Sequence, residues 1–103
     1  MKLKIKDASK VQGEVLMVKV TSTEVYPRFL YYWVLNLYNT GLIKIALMES
    51  VIPYLTVESF GNLPFYDRRI KDIAIVGTNL QEYDFVVQRT GKYAGKPTWT
   101  ETA

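Results

Sequence analysis

Two short stretches of this chain set cations beside aromatic rings. Tyr66-Asp67-Arg68-Arg69 puts a phenol next to two guanidinium groups, and Arg89, Lys92 and Tyr93 repeat the association at the end of the last apolar run. Arginine and lysine contact phosphate oxygens, and aromatic rings stack on unpaired bases, so this combination suits a nucleic-acid surface. It also suits solvated turns and the outward side of an ordinary strand, and the sequence leaves both readings open. Lys19 and Arg28 are the nearest cations in the first third of the chain.

The carboxylates give weaker signals. Glu49 and Glu58 flank a candidate helix, Asp67 and Asp72 flank a candidate strand, and Glu82 and Asp84 stand two apart. Paired carboxylates can move protons or hold a divalent ion, but no spacing here matches a ligand loop. Solvent-facing turns are the simpler account. Gly61, Gly77, Gly91 and Gly95 occur in no phosphate-cradling pattern. The chain has no cysteine and no histidine. Disulfides, zinc clusters, thiol nucleophiles and the commonest general base are thereby removed, and the expectation is a protein without catalysis, metal or cofactor.

The 103 residues fit one domain. Their charge of +3 permits anionic partners without requiring them. The hydrophobic fraction is 49%, with eight tyrosines, which serve cores and interfaces alike. No long apolar run follows the N-terminal lysines, so neither a leader nor a membrane span is expected, and a cytoplasmic location is the default.

The elements that must position these residues read as follows. Residues 1–13 read as a basic arm or an edge strand guarded by lysine, with Lys2, Lys4 and Lys6 alternating with Leu3 and Ile5. Residues 14–90 form the domain. Glu14–Val20 (EVLMVKV) reads as a central strand. Pro27 suits the first turn of a helix that buries Leu30, Trp33, Val34 and Leu37. Arg28, Tyr32, Asn36 and Asn39 form its polar side, and Gly41 ends it. Tyr31, Leu35 and Tyr38 are an apolar flank in excess of one buried stripe, and are expected to meet a second copy or another protein. Leu42–Met48 (LIKIALM) reads as a second strand, parallel to the first across the helix. A second helix capped by Ser50 runs to Phe60. Ile70–Val76 and Tyr83–Thr90 follow as a hairpin through Gly77–Glu82. Residues 91–103 read as a mobile tail. The fold class is α/β, a two-layer β-α-β-α-β-β sandwich with a mixed four-stranded sheet and two helices.

That element order resembles the Alba family of archaeal chromatin and RNA-binding proteins over roughly residues 15–90. The similarity is carried by VLNLYNTGLIKIAL (Val34–Leu47) and by KDIAIVG (Lys71–Gly77), which is similar to a strand closing in glycine before a hairpin. The resemblance implies an Alba-like fold, a dimer and backbone-directed DNA or RNA binding, in a protein of a thermophile or its virus. The family's paired lysines fall here on Thr23, Glu24 and Val25, its Arg-Gly-Arg on Met48, Glu49 and Ser50, and its basic hairpin on Thr78–Glu82. No family site residue carries over. The expected phosphate contacts are therefore Lys19, Arg28, Arg68, Arg69, Arg89 and Lys92, with Tyr31, Leu35 and Tyr38 at the dimer interface. The alternative is an oligomerisation module on the same scaffold without nucleic-acid binding.

Overall fold

The computed structural model describes residues 15–48, 53–77 and 83–100, together with the backbone of 3–4 and 101–102. The order begins with β1 (Leu3–Lys4), β2 (Val15–Val20) and α1 (Pro27–Asn39). A 3₁₀ turn at Leu42–Ala46, β3 (Leu47–Met48), β4 (Tyr54–Leu55) and α2 (Val57–Gly61) follow. Next come β5 (Pro64–Phe65), β6 (Arg68–Arg69), a second 3₁₀ turn at Ile70–Asp72, and β7 (Ala74–Gly77). The chain closes with β8 (Phe85–Gln88), β9 (Pro97–Trp99) and β10 (Glu101–Thr102).

The central sheet is four-stranded, in the order β7-β2-β8-β9, and every pair in it is antiparallel. This corrects the expected mixed sheet. The run Leu42–Met48 does not return beside β2. Gly41 sits at φ 80°, and the chain tightens at once into a 3₁₀ turn that buries Ile43 and Ala46, three residues apart. Leu42 and Ile45 point outward, with Ile45 79% exposed. A continuous apolar run is compatible with a strand or a buried turn, and here the turn prevails.

β7 and β8 are not a hairpin either. Each pairs with β2, which lies between them: Val18 faces Val76 on one side and Phe85 on the other. The expected turn at Thr78–Glu82 lies outside the described residues, as do residues 1–2 and 5–13 of the arm, Glu14, and the Glu49-Ser50 cap. The fourth strand comes from the stretch that composition marks as a tail. Pro97, Thr98 and Trp99 pair with Val87, Val86 and Phe85. At the termini, β1 pairs with β10.

Helix α1 follows its sequence pattern except at Trp33, expected in the buried stripe and found half-buried. Pro27 opens it, and Leu30, Val34 and Leu37 are buried against Leu16, Val18, Phe85 and Val87. Helix α2 is one turn long, and its cap is Thr56. The Ser59 N–H donates to Thr56 Oγ1 at 2.9 Å, and the Thr56 N–H donates to Ser59 Oγ at 3.1 Å. The sheet face away from α1 buries Val15, Met17 and Val86, with Tyr83 against them. Burial there pushes the Tyr83 phenol above its ordinary pKa.

Gly95 fixes how the β8–β9 connection meets the core. Its φ is +94°, and a Cβ there would lie 2.6 Å from Ile43 Cγ1. Only glycine allows this approach. The contact brings the turn after β8 onto the 3₁₀ turn that follows α1.

Candidate nucleic-acid interface

The N-terminal end of α1 and the β5–β6 hairpin enclose a groove. Its walls come from Glu24, Val25, Tyr26, Phe29, Phe65, Tyr66, Asp67 and Arg68, and its volume is about 370 Å³. That lies within the range of small-ligand sites, roughly 300–1,000 Å³.

The hairpin is positioned by aromatic contacts. Phe65 pairs with Arg68 across a two-residue turn, Tyr66-Asp67. Tyr66 has φ 55°, the left-handed region, which is uncommon for a bulky side chain. Backbone strain of this kind costs on the order of 1–3 kcal/mol and persists only where the surroundings enforce it. Here the Tyr66 ring lies 5.0 Å from Phe65, 5.0 Å from Trp33 and 6.0 Å from Phe29. Phe65 is edge-on to Phe29 at 5.9 Å and to Trp33 at 5.4 Å. Trp33 Nε1 donates to Pro64 O at 2.8 Å, tying the hairpin to the second turn of α1. Phe65 is buried beneath these rings, whereas Tyr66 is 65% and Tyr26 82% exposed.

Charge borders the groove. Arg68 Nη2 donates to Glu24 Oε2 at 3.3 Å. Glu24 is held in turn by its own N–H, which donates to Ser22 Oγ at 3.2 Å. Arg69 is exposed beside Arg68, and its N–H donates to Asp72 Oδ2 at 3.3 Å. On the other flank of α1, the Arg28 guanidinium lies 4.4 Å from the Trp99 ring centroid and 5.8 Å from those of Tyr31 and Tyr32. α1 carries no acidic residue, so Arg28 meets only the positive end of its dipole.

Arg68 borders the groove on the hairpin side of the start of α1, with Arg69 next to it in β6, and Arg28 stands on the other flank at Trp99. The other expected contacts lie elsewhere. Lys19 is half-buried in β2 opposite Ile75, on the sheet face away from α1. Arg89 Nε donates to Leu55 O at 3.0 Å, while the Leu55 N–H donates to Arg89 O at 2.8 Å, so Arg89 fastens β4 to the end of β8. Lys92 lies in the 91–95 turn, 5.7 Å from the Tyr93 ring, with Lys96 at 5.4 Å from the same ring. That turn lines a second groove with Tyr38 and Gly41, at the far end of α1. Thirteen helical residues separate the two ends by about 20 Å.

The flank Tyr31, Leu35 and Tyr38 is half-buried within the chain. Tyr31 is edge-on to Phe85 at 5.8 Å and to Trp99 at 5.6 Å. For Tyr31 that cover includes Trp99 of β9, a strand the sequence does not place in the sheet. The carboxylates also have local duties: Asp84 Oδ2 accepts from the Val20 N–H at 2.9 Å, and Asp72 accepts from Arg69. Among the described residues no group of three or more acidic, histidine or cysteine side chains could hold a metal ion, and no helix is long and apolar enough to cross a membrane.

Sequence reasoning missed Glu24, Tyr26, Phe29 and Trp99. The signal for two of them was present: Tyr26-Pro27-Arg28-Phe29 sets two rings about a cation at a helix start, and Phe29 lies one turn from Trp33. No family model, curated protein or solved structure matches the chain.

Proposed function

We propose that this protein binds single-stranded nucleic acid without catalysing a reaction, through the surface around the start of α1. The observation that carries the reading is the company kept by the exposed rings. Tyr26, Phe29 and Tyr66 open to solvent in a groove that Arg68 borders, and Tyr32 lies beside Arg28. Stacking platforms flanked by cations are how single strands are held without base-pair geometry. A strand crossing here runs from the hairpin, over the first turn of α1, to Arg28 on Trp99. From there β9 leads to Lys96, Lys92 and Tyr93, a second ring between cations.

Each phosphate contact on a single strand contributes a slope of about −0.7 to log affinity against log salt, so three arginines give about −2. The test is a titration with a labelled single-stranded octamer at about 50 and 200 mM salt, where the expected loss is roughly 20-fold. Arg28→Ala should lower the slope by about 0.7. Affinity that ignores salt, or that survives removal of all three arginines, overturns the reading.

A further inference from the structure

We propose that the groove between α1 and the β5–β6 hairpin selects a guanine base, an inference that rests on the nucleic-acid reading above. The groove has a composition that the phosphate-binding surface around it does not share. Its walls are rings, Tyr26, Phe29, Phe65 and Tyr66, and its polar groups include two carboxylates, Glu24 and Asp67. Carboxylates repel phosphate. From a nucleic acid they accept hydrogen bonds only from base edges or sugar hydroxyls.

Base edges differ in what they give a carboxylate. Uracil presents a single N–H between two carbonyls. The pairing edges of cytosine and adenine each place an amino donor beside a ring acceptor. Guanine alone offers two adjacent donors, N1–H and N2–H, matching the two oxygens of one carboxylate. Single strands expose this edge, and the rings of the groove supply the stacking.

Glu24 is the acceptor. Arg68 contacts it at Oε2, 3.3 Å away, and the Ser22 hydroxyl accepts from its backbone N–H. The same ion pair argues against a free cation as the occupant. The countercharge of Glu24 is already supplied from within the chain, and an incoming cation would have to displace Arg68. A neutral base with paired donors need not. The strained turn at Tyr66 fits this role, because φ 55° holds the ring in the groove wall and away from a strand-like path.

The experiment compares uridine octamers carrying one central guanine, inosine, adenine or cytosine, read by fluorescence anisotropy. Inosine lacks the N2 amino group and keeps N1–H. The guanine octamer should bind about tenfold or more tighter than all-uridine, and inosine should forfeit most of that gain. Glu24→Gln should abolish the preference for guanine over uridine. Because Glu24 is exposed, this variant keeps the fold. Octamers that bind equally, or a preference that survives Glu24→Gln, overturn the assignment and leave backbone binding standing. If no octamer binds at about 50 mM salt, the nucleic-acid reading itself fails. Guanosine and adenosine, which carry no phosphate, then test the groove directly by NMR titration. Selective guanosine binding sustains the proposal, and no binding, or equal binding, overturns it.

Discussion

Two aromatic groups lie on opposite flanks of α1, built from similar residues and put to different uses. On the sheet side, Tyr31, Phe85 and Trp99 interlock, with Phe85 fully buried and the two outer rings half-covered. On the hairpin side, Phe29, Trp33, Phe65 and Tyr66 touch at similar distances, but Tyr66 and the neighbouring Tyr26 stay open. The first group has a strand beneath it. The second has only a two-residue turn, one of whose residues adopts a left-handed backbone. Ring contacts are therefore not by themselves a sign of core. What separates core from surface is whether a regular element covers the far side of the rings.

That difference can be broken open by mutation. Phe85→Ala should have the largest effect, about 3–5 kcal/mol lost in urea denaturation, because it empties a fully buried site. Next comes Gly95→Ala, which combines a left-handed backbone with a Cβ driven into Ile43. About 2–4 kcal/mol is expected from strain and overpacking together. Both losses should appear in stability, and a variant within about 0.5 kcal/mol of the natural protein would show that the rings on the sheet side are not core. Thr56→Ala, which removes the cap of α2 far from both groups, should cost about 1 kcal/mol and serves as the neutral reference.

How far each side could be read from sequence follows from the same contrast. The limits of α1 were legible because Pro27 and Gly41 act locally, through a fixed φ and a permitted positive φ. The antiparallel sheet was not. Its pairings join residues far apart in the chain, and the stretch that supplies β9 is disguised by glycine, lysine and proline. LIKIALM misled for a different reason, since three-residue spacing and two-residue spacing are hard to tell apart in so apolar a run. At the candidate site, Arg28, Arg68 and Arg69 stood out by their neighbours in sequence. The groove did not, because Glu24 and Tyr26 acquire meaning only once residues 64–69 fold back on α1.

The smallest effect on stability carries the sharpest information. Tyr66→Ala removes the ring and keeps a side chain at φ 55°, whereas Tyr66→Gly removes the ring and the strain together. If the left-handed backbone is held there at a cost, the glycine variant should be more stable than the alanine variant by about 1–2 kcal/mol in thermal or urea unfolding. Against the natural protein it should come out within about 1 kcal/mol, because relief of strain offsets the lost ring contacts. Both variants should lose affinity for the single strand equally, by roughly 5- to 150-fold for one stacked base. A stability that barely moves beside an affinity that falls tenfold or more would mark Tyr66 as a ring held open for a ligand. Were the two variants instead equally stable and both as tight in binding as the natural protein, the turn would be an ordinary hairpin end, and the hairpin side of α1 would differ from the sheet side only in lacking a strand to cover it.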